Sequence, residues 1–125
     1  MAEEIIRRTQ DWYYSRVGSK SFILQPLITA ISFHHGRVRN TFHITEDHNI
    51  YGHSFELKSC LPIDGIIEDT VDIEKVLESI FIEGGMIPGV FTIIDMEVGA
   101  KERLKKLYNL ELRCLTTIKE IRLAI

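Results

Sequence analysis

Apolar residues recur at helical spacing most clearly over residues 72–83. There Ile73, Val76, Leu77, Ile80 and Phe81 would share one face of an amphipathic helix. Gly84-Gly85 ends the pattern, as glycine does where a helix must stop. The runs on either side are of another kind. Ile66-Ile67 is a short apolar strand that ends in Glu68-Asp69, and residues 90–95 form a near-continuous apolar run typical of a strand covered on both faces. Pro62-Ile63-Asp64-Gly65 reads as a turn before the first of these strands. A helix over 100–107, a strand over 110–115 and a last helix from about Thr117 follow.

The first half is patterned less sharply. Residues 3–15 read as a helix with Ile5, Ile6, Trp12 and Tyr13 as its apolar contacts, ended by Gly18. Gln25-Pro26 opens a second helix, with proline near the position where its missing N–H costs least. Leu27, Ala30, Ile31 and His34 would line its buried side, and Gly36 would stop it. Residues 38–45 are rich in β-branched and aromatic side chains and read as a strand; 46–53 read as a polar loop, and 54–61 as a second strand returning as in a hairpin. Strands that alternate with helices imply an α/β fold with a mainly parallel sheet flanked by helices. At 125 residues the chain suits one domain spanning 1–125.

Composition is that of an ordinary globular protein, with 45% hydrophobic and 26% charged residues. No segment is apolar enough to span a membrane, and Glu3, Glu4, Arg7 and Arg8 break up any signal-like N-terminal core. A cytoplasmic protein is the expectation. Cys60 and Cys114 fit no metal or redox spacing and read as reduced thiols.

Charge changes the picture more. The net charge of −3 hides an acidic centre: residues 41–98 hold twelve acids against Lys58 and Lys75, while both flanks are basic. An acidic centre repels polyanions, so nucleic acid is an unfavoured partner for it. A nucleic-acid reading would rest on the basic ends: Arg7, Arg8, Arg16, Lys20, Lys105 and Lys106. Trp12-Tyr13-Tyr14 beside Arg16 has the makings of a stacking platform, or of a packing or dimer surface. All five histidines fall between His34 and His53, but His43, His48 and His53 match no metal spacing. Asp64, Glu68, Asp69 and Asp72 are a candidate carboxylate cluster of the kind that holds Mg²⁺, against a plain reading as acidic loop ends.

In open parallel sheets, ligands bind beyond the carboxyl ends of the strands, which here selects Glu68, Asp69 and Asp95. An apolar strand that runs into two acids resembles the signature strand of the type I phosphoribosyltransferases. Three further segments resemble that family in the same order. Residues 26–32 resemble the helix after its pyrophosphate loop. Gly84-Gly85 and Gly89-Val90 resemble the glycines around its next strand. Ile94-Asp95-Met96-Glu97-Val98-Gly99-Ala100 is similar to the Val-Asp-Arg-Glu-Glu-Gly segment of orotate phosphoribosyltransferases, archaeal ones especially. The resemblance covers about residues 21 to 121 and implies an N-terminally shortened phosphoribosyltransferase-like fold.

Carried over residue by residue, the resemblance implies ribose contacts from Glu68 and Asp69, with Thr70 and Val71 in the next two positions. The family's Thr-Thr-Gly then becomes Asp72-Ile73-Glu74. A phosphate cradle needs free backbone N–H groups and hydroxyl donors at a helix N-terminus. Asp72 and Glu74 offer acceptors and negative charge instead, and Asp72 suits an N-cap that takes those donors. The loop before Pro26, Ser-Lys-Ser-Phe-Ile-Leu-Gln, lacks glycines that admit a pyrophosphate. Residues 45–53, where the orotate enzymes carry a basic catalytic loop, contain neither Lys nor Arg.

The leading expectation is therefore a catalytically degenerate phosphoribosyltransferase-like homodimer with a binding or regulatory role, a nucleotide or phosphoribosyl compound as its conceivable ligand, and no cofactor. The alternative is an active, orotate-type transferase that uses Mg²⁺, Glu68 and Asp69, with phosphate donors borrowed from Arg37, Arg39 or a neighbouring subunit.

Overall fold

A computed structural model describes residues 1–34, 39–52 and 55–124 of the chain. Its elements are α1 (Ala2–Arg8), β1 (Arg16–Ser19), a 3₁₀ turn (Phe22–Leu24), α2 (Gln25–Ser32), β2 (Asn40–Ile44) and β3 (Ile50–Gly52). There follow β4 (Cys60–Ile67), α3 (Val71–Ile82), β5 (Val90–Asp95), α4 (Ala100–Tyr108), β6 (Leu112–Thr117) and α5 (Ile118–Ala124). The strands form one sheet in the order β3-β2-β1-β4-β5-β6. Every neighbouring pair is parallel except β2 and β3, which are antiparallel. This is the α/β architecture the strand–helix alternation implies. None of the described helices is long and apolar enough to cross a membrane.

The sheet is covered on both faces. On one, Ile73, Val76, Leu77 and Ile80 of α3 and Leu104 of α4 pack with Phe42, Ile44, Cys60, Ile67, Val90 and Leu112. On the other, Ile5 of α1 and Ile28 and Ile31 of α2 pack with Tyr14, Val17, Leu61, Ile63 and Phe91. Each such side chain contributes roughly 1.5–3 kcal/mol when fully buried. The helix over 72–83 and the strand over 90–95 stand where the pattern puts them. Phe81 departs from that face: it is 41% exposed and stacks on Tyr108 instead of entering the core.

The first half needs more correction. The helix expected over 3–15 stops at Arg8, where the Thr9 hydroxyl bonds the Ile5 carbonyl. Gly18 does not end a helix; it lies in β1, all four residues of which are buried. A Cβ on Gly18 would come within 2.3 Å of the Phe42 carbonyl oxygen, so only glycine lets β1 and β2 approach. A four-residue strand with a glycine inside carries almost no periodicity, which is why it escapes the pattern. Pro62-Ile63-Asp64-Gly65 is not a turn but the middle of β4. Proline is tolerated there because Pro62 stands on the last rung shared with β1, beyond which β4 pairs with β5 alone.

The polar loop over 46–53 contains β3, which makes the hairpin with β2. The strand expected over 54–61 begins only at Cys60 and runs parallel to β1, so it is no hairpin return. In α2 the buried residues are Ile28, Ile31 and Ser32; Leu27 and His34 are half-buried and Ala30 is exposed. Gly36, Arg37 and Val38, and His53 and Ser54, lie outside the described residues.

Candidate functional site

The parallel strands β1, β4, β5 and β6 bring the segments that follow them to one edge of the sheet. The turn after β4 is the centre of this edge. Ile67 is buried, and the chain then emerges through exposed Glu68 and Asp69. Asp69 Oδ1 accepts the N–H of Val71 at 2.9 Å and that of Asp72 at 3.4 Å. The carboxylate over the first turn of α3 is thus that of Asp69, not of Asp72 as the sequence led us to expect. Thr70 stands at the N-cap without a side-chain cap bond, and its carbonyl accepts the Glu74 N–H at 3.1 Å.

Asp72 points elsewhere. Its Oδ1 accepts a hydrogen bond from Lys20 Nζ at 2.6 Å and lies 3.3 Å from His48 Nε2. Burial alone would raise its pKa, but the bond and charge of Lys20, helped by His48, hold it below the ordinary aspartate value. Lys20 also lies 3.7 Å from a Glu46 carboxylate oxygen, and its own pKa is raised, chiefly by the bond to Asp72. Glu74 leaves the turn altogether: its carboxylate accepts from Arg103 Nε of α4 at 3.0 Å. Of the five residues selected by sequence, Glu68, Asp69, Thr70 and Asp72 sit at the turn and Glu74 faces the neighbouring helix.

Asp64 lies within β4 beside this turn and accepts the N–H of Gly65 at 2.8 Å. Burial pushes its carboxyl up to about 6, against the Gly65 bond, and the negative charge of Asp72 adds to the rise. The space it shares with Ser19, Lys20, Ile73 and Val76 is nearly filled, about 10 Å³.

The loop after β1 holds itself by the Ser21 N–H bonded to Ser19 Oγ, and its 3₁₀ turn carries Phe22 and Ile23 into solvent. Phe22 meets the His43 ring edge-on at 4.7 Å, and His43 Nδ1 lies 3.2 Å from Gln25 Nε2. The loop after β5 is also self-bonded: Asp95 Oδ1 accepts the Glu97 N–H at 2.9 Å, and Glu97 Oε1 accepts the Lys119 N–H at 3.2 Å. Glu97 has a left-handed backbone, φ 57°.

Sequence reasoning set Lys20 in the loop before Pro26 and His48 in the 45–53 stretch, but did not foresee that both meet Asp72. They are brought there by β1 and the β2–β3 hairpin, the two features the pattern missed. Among the described residues no three His, Cys, Asp or Glu side chains gather as a metal site, so Asp64, Glu68, Asp69 and Asp72 do not form one; of His43, His48 and His53, the last lies outside the described residues. Cys60 and Cys114 are free thiols. Trp12, Tyr13 and Tyr14 do not form one platform. Arg113 lies 4.0 Å over the Trp12 ring, Tyr14 is buried, and only Tyr13 is largely exposed.

The architecture has clear counterparts among solved structures. The orotate phosphoribosyltransferase of Mycobacterium tuberculosis, in complex with Fe(III) dicitrate, superposes with a TM-score of 0.83 at 24% identity, covering 94% of this chain and 70% of that one. This chain has the type I phosphoribosyltransferase fold. A second structure of that protein, in complex with 5-phospho-α-D-ribosyl 1-diphosphate (PRPP), gives 0.76 at 23% identity over 94% of this chain and 71% of that one. The orotate phosphoribosyltransferase of Aeropyrum pernix gives 0.77 at 17% identity, over 96% and 71%. No family model and no curated protein sequence matches the chain. On the phosphoribosyltransferase fold, the edge described above is the ligand-facing edge expected of any open parallel sheet.

Proposed function

We propose that this chain is a phosphoribosyltransferase-fold protein without phosphoribosyl transfer activity, serving a binding or regulatory role as a cytoplasmic homodimer. The observation that carries this reading is that the chain's own carboxylates take the groups an anionic ligand would need. Asp69 takes the first free N–H groups of α3, and Asp72 takes Lys20. A phosphate entering the turn would also meet Glu68 and Glu46. Two like charges about 4 Å apart repel by roughly 4 kcal/mol at a protein surface. Met96 adds to this reading, since it puts an apolar side chain where the similar orotate-enzyme segment carries arginine.

Mg²⁺ would reduce that repulsion, and it prefers one or two carboxylates plus substrate phosphates. Asp69 and Asp72 are engaged, which leaves Glu68 as the carboxylate of the turn without a partner among the described residues. Calorimetric titration with PRPP and Mg²⁺ tests the reading. The expected result is no heat of binding in the micromolar range, and micromolar Mg²⁺-dependent binding overturns it.

One observation favours the alternative of an active orotate-type transferase. Glu68 and Asp69 stand exposed at the end of β4, where the family resemblance puts a ribose. Arg39 is a poor donor for it, because it precedes β2 at the opposite edge and bonds the Ile31 carbonyl. Release of pyrophosphate from PRPP with a panel of bases would establish this alternative. The nucleic-acid reading has less behind it: Arg7 and Arg8 bond Glu4, Lys20 bonds Asp72 and Arg16 is buried.

A further inference from the structure

The β2–β3 hairpin loop is tied down at more points than a surface loop requires. Besides the contact of His48 Nε2 with Asp72, the His48 carbonyl accepts a hydrogen bond from Ser79 Oγ of α3 at 3.0 Å. Within the loop, the His48 N–H bonds the Thr45 carbonyl and the Thr45 N–H bonds the Asn49 carbonyl, both at 2.9 Å. His48 itself adopts a left-handed backbone, φ 61°, which a non-glycine residue holds only when its surroundings over-determine it. The same Asp72 oxygen that meets His48 also accepts from Lys20. One carboxylate oxygen therefore joins three segments: the end of β1, the hairpin loop and the first turn of α3.

We propose that Asp72 is an internal latch: it straps the hairpin loop across α3 and occupies Lys20 in place of an external phosphate-class anion. This inference rests in part on the closed-site reading above and adds to it a defined moving part. When the carboxylate leaves, two things are released together, the loop through His48 and the ammonium of Lys20. Ser79 and the loop's own bonds then hold the strap alone. Lys20 keeps two acidic neighbours, the exposed Glu46 and the half-buried Asp64, so the anion affinity gained is moderate.

The test compares the wild-type chain with Asp72→Asn, which preserves shape, and with His48→Ala, which cuts the strap and leaves Asp72 on Lys20. Amide hydrogen exchange over residues 46–50 and calorimetric titration with inorganic phosphate are the two readouts. In Asp72→Asn the loop amides exchange at least about tenfold faster and phosphate binds at least about tenfold tighter, a gain abolished by adding Lys20→Met; tenfold corresponds to about 1.4 kcal/mol. In His48→Ala the loop amides speed up and phosphate affinity stays as in wild type. Loop amides at the wild-type rate in either folded variant overturn the latch, as does a phosphate affinity in Asp72→Asn within threefold of wild type. The exchange arm uses no ligand. It therefore decides the strap even where the wild-type chain binds PRPP, the result that ends the closed-site reading.

Discussion

Two neighbouring turns on the same edge of the sheet are built to opposite effect. Between β4 and α3, Asp69 covers the first N–H groups of the helix, Asp72 holds Lys20 and His48, and the space beside Asp64 is about 10 Å³. Between β5 and α4, Asp95 takes only the Glu97 N–H ahead of the helix, no side chain among the described residues bonds the first N–H groups of α4, and a Cβ on Gly99 would meet nothing within 4 Å. That turn opens into a groove of about 670 Å³ whose lining mixes Arg8, Lys101 and Arg113 with Asp95, Glu97 and Glu102. Both turns follow parallel strands and precede helices longer than two turns, so the backbone offers each the same opportunity to bind an anion. The difference lies in the side chains. Closure at α3 is a property of Asp69, Asp72 and Lys20 rather than of the fold, and it is open to change by substitution.

The largest expected effect tests whether α3 is held by its core or by its polar turn. Leu77 is fully buried. Leu77→Ala should cost about 3 kcal/mol in urea denaturation, within the usual span for such truncations. A cost under about 1 kcal/mol would mean that the polar turn, not the core, positions the helix.

Asp64→Asn comes next and reads the burial of the closed turn. The Asp64 carboxyl titrates at about 6 in the folded chain, against 3.8 for an ordinary aspartate, because burial disfavours its charge. A raised carboxyl pKa means that the folded state holds the proton more tightly. The group therefore favours folding least above about pH 6, and stability from this source falls as pH rises from about 4 to 6. Asn keeps the acceptor for Gly65 and cannot ionise. The variant should be more stable than wild type by about 1–3 kcal/mol at pH 7 and indistinguishable from it near pH 3.5. Parallel denaturation curves at the two pH values check this, and an equal difference at both would remove ionisation as the cause.

Gly99→Ala probes the open turn. Gly99 sits at φ 89°, a conformation that carries a penalty for any residue with a Cβ, while no atom stands in the way of one. The loss should be about 1–2 kcal/mol from the backbone alone. Gly99→Asn should recover part of it, since asparagine tolerates the left-handed region. Equal losses for Ala and Asn would point to a contact rather than to backbone strain.

Asp69→Ala should show the smallest effect, about 1 kcal/mol, the usual cost of losing a helix cap. Asp69→Asn should restore most of it. Thermal melts of the pair suffice, and a loss in Asn as large as in Ala would assign the effect to charge.

How much of this was legible in the sequence differs between the two halves. The α3 helix and β5 could be read because each buries a periodic or continuous apolar run long enough to count. The family resemblance, read from the acids after Ile67 and the order of segments around them, correctly anticipated the fold. β1 and β3, four and three residues long, were not legible. Gly18 and Pro62, usual signs of a break, serve here as a close approach and as the last rung of a ladder. The acidic character of the α3 turn was legible, but its geometry was not. Nothing local tells which of Asp69 and Asp72 caps the helix, because Asp72 is drawn away by Lys20, 52 residues earlier in the chain. Long-range polar partners leave no periodic trace.

The most direct test of the central claim watches the turn itself. ¹⁵N-labelled wild-type chain, titrated with PRPP and Mg²⁺, reports on the amides of residues 70–74 one by one. With Asp69 on the first N–H groups of α3 and Asp72 on Lys20, these resonances should stay in place up to millimolar ligand. Saturable shifts of the Val71 and Asp72 amides at micromolar PRPP would show the turn to be an open phosphate site and contradict the account.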